Sequence, residues 1–187
     1  MSSADKVKAG VVQMTSTADV NANMASVREL ALRAASQGAK LVLVPECFAY
    51  LGPEAGKVDI AEPLDEPGPI LSACSAVARE TGAELILGGF WERSPVQGKV
   101  RNACIHMRAD GSIGSVYRKI HLFDVDLPDG ESLRESDTVE PGNETVVANT
   151  VIGPVGLSVC YDLRFPELYR RLVDAGASSL AIPAAFT

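Results

Sequence analysis

The chain has 187 residues, with 17 Lys and Arg against 24 Asp and Glu, a formal charge of −7 and a pI near 4.9. That balance argues against a basic, phosphate-neutralising surface and so against nucleic-acid binding. At 47% hydrophobic and 22% charged residues, with 16 Gly and 11 Pro, the composition excludes a disordered, collagenous or low-complexity chain. The length suits one domain within the usual range of roughly 50 to 250 residues, able to bury about 70% of its unfolded surface.

There is no run of about 18 apolar residues, and the opening MSSADKVKAG offers neither a basic region nor an apolar stretch of the signal-peptide kind. A cytoplasmic protein with no membrane partner is the expectation. Cys47, Cys74, Cys104 and Cys160 form no C-x-x-C pair, and His106 and His121 are not spaced with them as metal ligands, so reduced thiols and no structural zinc are expected.

In chain order, Lys6 to Met14 reads as a short β-branched strand, and Val20 to Gln37 as an amphipathic helix with Met24, Val27, Leu30, Ala31 and Ala34 at helical spacing. Asp19 or Asn21 can cap its start, and Gly38 its end. Lys40 to Val44 is a second strand. Residues 46–67 read as a long loop, followed by a helix from Pro69 to Thr81, ended by Gly82, and a strand from Glu84 to Phe90. This βαβαβ order favours parallel strands covered by helices. The pattern then changes: Val100 to Arg108 and Ile113 to Lys119 alternate on either side of Asp110-Gly111, a hairpin signal. Residues 122–143 read as a polar loop, Thr145 to Val151 and Gly156 to Cys160 as a strand pair, Pro166 to Ala175 as a helix and Ser178 to Ile182 as a last strand. One mixed α/β domain is implied.

The apolar strands stop at reactive side chains. Leu41 to Pro45 leads into Glu46, Val155 to Val159 into Cys160, and Ser115 to Arg118 into Lys119. Ligands of open α/β sheets bind outside the carboxyl ends of strands. Singly, each residue has an ordinary explanation: a solvated carboxylate, a buried thiol and a snorkelling lysine. Strand alternation leaves open which way Lys119 faces. Together they supply a nucleophile, a base to take its proton and a cation for a developing oxyanion. With Glu46 as base, neither histidine has to serve, unlike in a Cys-His protease.

The strings Val44-Pro45-Glu46, Tyr117-Arg118-Lys119-Ile120-His121-Leu122-Phe123-Asp124 and Val159-Cys160-Tyr161-Asp162-Leu163-Arg164-Phe165-Pro166-Glu167-Leu168 resemble the three signature blocks of the nitrilase superfamily of carbon-nitrogen hydrolases. They come in that family's order, and Gly88-Gly89, Asn102-Ala103 and Pro141-Gly142 are also similar. The second and third blocks most resemble the branch of omega-amidases and deaminated-glutathione amidases. The resemblance implies a four-layer αββα sandwich over residues 1–187, lacking the C-terminal part with which family members continue. It implies a catalytic triad of Glu46, Lys119 and Cys160, with Glu135 as a supporting second glutamate. Glu131 and Glu140 are the rival positions for that glutamate. The backbone N–H of Tyr161 would join Lys119 as the oxyanion hole. Arg164 and Glu167 are expected to fix the turn and helix by charge-assisted hydrogen bonds, His121 to be structural, and Cys47, Cys74 and Cys104 to be core thiols.

The implied activity is hydrolysis of a small carboxamide through a cysteine thioester, releasing ammonia and a carboxylate. The ω-amide of an α-keto acid or deaminated glutathione is the favoured substrate. An N-carbamoyl amidohydrolase is the alternative chemistry, and a non-catalytic fragment or binding module the alternative of another class. No cofactor is expected, and the resemblance implies a homodimer or larger homo-oligomer.

Overall fold

The computed structural model describes residues 6–127, 130 and 132–186. Its elements are β1 (Lys8–Val11), α1 (Val20–Ser36), β2 (Ala39–Val44), α2 (Glu54–Ile60), α3 (Pro69–Thr81), β3 (Glu84–Arg93), β4 (Val100–Met107) and β5 (Ile113–Arg118). There follow β6 (Asp124–Asp126), β7 (Ser132–Arg134), β8 (Val147–Thr150), β9 (Gly153–Leu157), α4 (Pro166–Asp174) and β10 (Ser179–Ala181). One sheet has the order β1-β2-β3-β4-β5, parallel through β3 and antiparallel from there to β5. A second has the order β10-β9-β8, and β6 and β7 form a small hairpin.

Side-chain alternation builds the layers. Val42 and Val44 of β2, Leu85 and Leu87 of β3, and Ile105 of β4 pack against Val27 and Ala31 of α1 and Leu71, Cys74 and Val77 of α3. The intervening Leu41, Ile86, Cys104 and Tyr117 point the other way, into a core shared with Val155, Leu157, Leu168 and Leu172. A β-carbon on Gly156 would lie 3.1 Å from Leu172, so α4 crosses β9 at close range. The result is helices, sheet, sheet, helix: the expected αββα order.

Local chemistry explains the helix ends. Asp19 accepts from the Ala22 N–H at 3.0 Å, and Gly38 follows α1 at φ 90°. Buried Asn23, in the first turn of α1, donates to the carbonyls of Thr17 at 2.7 Å and Ala49 at 2.9 Å, which pins the loop after β2. Glu62, from outside α3, accepts from its first N–H groups, Ile70 at 2.7 Å and Leu71 at 2.9 Å.

Two stretches expected as loops carry structure: α2 lies within residues 46–67, and the β6–β7 hairpin within 122–143. The strand before Cys160 also ends earlier than expected, at Leu157, and Cys160 begins a short 3-10 turn, Cys160–Arg164.

Candidate active site

Glu46 follows β2 by two residues, and the backbone at Cys47 takes φ 56°, uncommon for a side-chain-bearing residue. Room for this turn comes from a register shift in β3 between Leu87 and Phe90. Within it Gly89 adopts φ 63°, and a β-carbon there would stand 2.6 Å from the Cys47 nitrogen.

Cys160 also has a positive φ, 48°. The sharp bend is stitched down by Asp162, fully buried, whose carboxylate accepts from the Val159 N–H at 2.9 Å, the Tyr117 hydroxyl at 2.7 Å and the His121 N–H at 3.1 Å. His121 Nδ1 lies 2.7 Å from the same carboxylate, and its ring stacks on Phe165 with centroids 3.7 Å apart. His121 therefore braces the turn. The Cys160 N–H donates to the Pro183 carbonyl at 2.9 Å.

Lys119 follows β5 directly and turns inward, with 2% of its surface exposed. Its Nζ stands 3.3 Å from Glu46 Oε1 and 2.9 Å from Glu135 Oε2. Glu135 is held in turn by the Phe123 N–H at 2.6 Å, at the end of the β6–β7 hairpin. Asn102 on β4 donates from Nδ2 to both carboxylates, 2.9 Å to Glu46 Oε1 and 3.2 Å to Glu135 Oε1. The other oxygen of Glu46 accepts from the Ala185 N–H at 2.9 Å. Burial works against the Lys119 charge, but the Glu46 and Glu135 carboxylates outweigh it and hold its pKa above the ordinary lysine value. The Cys160 thiol is pushed up to about 12, first by burial, then by the charge of Glu46 and a hydrogen bond to it; Lys119 and the Ala185 amide oppose this.

Glu46, Lys119, Glu135, Cys160 and Tyr161 all line one cleft of about 660 Å³. The N–H of Tyr161 belongs to the second residue of the 3-10 turn, where amide hydrogens lack an intrahelical acceptor. Of the rival glutamates, Glu140 is bound away from the cleft, to Arg101 at 2.9 Å and Ser94 at 2.6 Å; Glu131 lies outside the described residues. Cys47 is a core thiol, packed with Tyr50, Ala61 and Trp91, and it also lines the cleft; Cys74 and Cys104 are fully buried. One expectation changes. Arg164 lines the cleft, and among the described residues neither Arg164 nor Glu167 makes a side-chain hydrogen bond or ion pair that would fix the turn. No group of three or more His, Cys, Asp or Glu among the described residues is placed to hold a metal ion.

Sequence reasoning left two contributors without a role. Asn102 showed only as part of a familiar dipeptide, and the Ala185 N–H is a backbone group that carries no sequence signal.

The two-sheet sandwich thus sets a buried Glu-Lys-Glu cluster beside a cysteine of positive φ. The chain belongs to the carbon-nitrogen hydrolase family, whose model matches residues 8–185. It is 40% identical to the deaminated glutathione amidase of Mus musculus, over 94% of this chain and 55% of that protein. With the deaminated glutathione amidase of Dictyostelium discoideum it shares 38% identity, over 95% of this chain and 63% of the relative. Among solved structures, the C. elegans NitFhit protein matches with a TM-score of 0.88 and 33% identity, covering 96% of this chain and 44% of that one. Saccharomyces cerevisiae Nit3, of the nitrilase superfamily, matches at 0.81 and 29%, covering 97% and 65%. The chain thus spans little more than half the length of several curated relatives. No helix among the described residues is long and apolar enough to cross a membrane.

Proposed function

We propose that the protein is an amidase that hydrolyses a small carboxamide through a thioester on Cys160. The carrying observation is the convergence of Glu46, Lys119, Glu135 and Cys160 in one cleft from four separate segments. Cys160 enters as a neutral thiol, since its proton is held well above neutral pH. As the sulfur attacks the amide carbon, Glu46 takes the thiol proton, and the carbonyl π-electrons move onto oxygen. An ammonium has three hydrogens. Two sides of Lys119 are occupied by Glu46 and Glu135, leaving one hydrogen, with the Tyr161 N–H, for the oxyanion. Collapse breaks the C–N bond, and the proton on Glu46 passes to the departing ammonia. Glu46 then deprotonates a water that attacks the thioester; the tetrahedral species collapses to a carboxylic acid, and the sulfur recovers a proton from Glu46.

The relatives named as deaminated glutathione amidases support an anionic substrate, an ω-amide of a keto acid or deaminated glutathione. Among the cleft cations, Lys57 is paired with Glu54 and Arg134 with Asp126, whereas Arg164 has no ion-pair partner among the described residues. Arg164 is the group for the substrate carboxylate. Arg164→Met should raise KM for an anionic amide about tenfold or more, the worth of a charge-assisted hydrogen bond, while leaving that for a neutral amide within about twofold; an equal change for both would remove Arg164 from this role. A reducing cytoplasmic setting and self-association complete the proposal. All four cysteines are free, as a thiol nucleophile requires, and light scattering reads the association.

The test is ammonia release from a panel of amides and N-carbamoyl compounds. Cys160→Ala should abolish it with the circular dichroism spectrum unchanged, whereas release at the original rate would exclude the thioester route. Slow alkylation of all four cysteines at equal rates would favour a binding module.

A further inference from the structure

Asn102 is 1% exposed, and its single amide nitrogen serves two carboxylates at once, Glu46 at 2.9 Å and Glu135 at 3.2 Å. Its Oδ1 is the one buried side-chain nitrogen or oxygen among the described residues without a hydrogen-bond partner. An unpartnered buried acceptor is costly, and turning the amide over would be worse, since it would set an oxygen against both carboxylates. The orientation is therefore imposed by the two acids. Lys119 alone stands against them: its one positive charge faces Glu46 and Glu135. The other groups facing Glu46 are Cys160, Cys47 and the Ala185 N–H, and the charge of Lys57, on the wall of the same cleft, acts on Cys47.

We infer that Asn102 is a positioning residue that stabilises Glu46 and Glu135 together as charged carboxylates, so that one ammonium suffices for two acids and Glu46 stays free to take the Cys160 proton. A donor that binds the charged form of an acid favours that form. Without Asn102, the two carboxylates keep one shared ammonium and one backbone N–H each, Ala185 for Glu46 and Phe123 for Glu135, and lose the only side-chain amide that bridges them. The inference rests on the reading of Glu46 as proton acceptor.

The experiment is the pH dependence of iodoacetamide alkylation at Cys160, followed by peptide mass spectrometry, in the unmodified chain and in Asn102→Leu, Asn102→Asp and Glu46→Gln. The unmodified chain should show an acid limb where Glu46 becomes protonated. In Asn102→Leu, of similar volume but without donors, this limb should move up by about one pH unit, the worth of a hydrogen bond to a charged group. Asn102→Asp should move it further in the same direction by adding a like charge. Glu46→Gln should erase the limb, and a limb surviving that change would overturn the reading of Glu46 itself. A limb that vanishes in Glu46→Gln but stays in place in both Asn102 variants would overturn only the role of Asn102. Loss of the fold in both Asn102 variants would also overturn it, by making Asn102 a structural residue.

Discussion

At the scale of single residues, the site separates two tasks that one cysteine environment cannot do together. A thiol activated as a standing thiolate needs a depressed pKa, yet burial and Glu46 push Cys160 to about 12. On the proposed thioester route the proton then moves at the moment of attack. Glu46→Gln removes the proposed base and also the charge that raises the thiol. Alkylation of Cys160 at neutral pH should fall about 100-fold or more, the usual worth of a general base, and what remains should follow a single alkaline limb with a midpoint below that of the native thiol. A neutral-pH rate equal to that of the unmodified chain would show that Glu46 is not the base. Asp162 is the structural counterpart. It accepts from Val159, Tyr117 and the His121 N–H with no exposed surface. Asp162→Asn would turn an amide N–H toward donors, at a cost of about 3 kcal/mol in urea unfolding.

At the scale of elements, what was legible followed periodicity and punctuation. Pro69 and Gly82 bracket α3 where expected, and Asp110-Gly111 turns β4 into β5, with Gly111 at φ 81°. Glu46, Lys119 and Cys160 were legible as strand-end residues and, through the signature blocks, as a set. The missed elements have physical reasons. α2 has seven residues and a Pro53 N-cap without a side-chain hydrogen bond, too short to show an apolar period. It is held by tertiary contacts, with Lys57 over Trp91 at 4.6 Å. β6 and β7 have three residues each, and the hairpin is tied by Glu135 to the Phe123 N–H, a partner that local pattern does not reveal. The Gly88-Gly89 step illustrates the same limit: the glycines are visible, but only the fold shows that a side chain at Gly89 would strike Cys47 and Glu46. Gly89→Ala should cost about 2 kcal/mol or more from the positive φ and the overlap. It should also lower the neutral-pH alkylation rate of Cys160 by displacing Glu46. Full stability in that variant would mean that β3 can relax around the added carbon.

At the scale of the whole molecule, the site is a closure of distant segments, and the last of these is the least conspicuous. Residues 181–185 run alongside the approach to the nucleophile: Ala181 accepts from the Ser158 N–H at 3.2 Å, Pro183 accepts from the Cys160 N–H at 2.9 Å, and Ala185 donates to Glu46 at 2.9 Å. Gly88 allows this stretch to approach, since a β-carbon there would lie 2.1 Å from Pro183. One short backbone stretch thus fixes both the turn that carries Cys160 and the Glu46 carboxylate, joining the second sheet to the first. Its loss should therefore uncouple chemistry from folding. The two helix-covered cores (α1 and α3 on one side, α4 on the other) lie mostly outside it. A variant ending after Leu180 should keep most of its helical circular dichroism while losing the fast, selective alkylation of Cys160. The Ala185 N–H also holds one oxygen of Glu46 at 2.9 Å, so a variant with Ala185→Pro, which lacks the N–H, should lower the neutral-pH alkylation rate of Cys160 severalfold by loosening the Glu46 carboxylate. An unchanged rate in that variant would show that the Ala185 amide does not orient Glu46, leaving its orientation to Asn102 and Lys119.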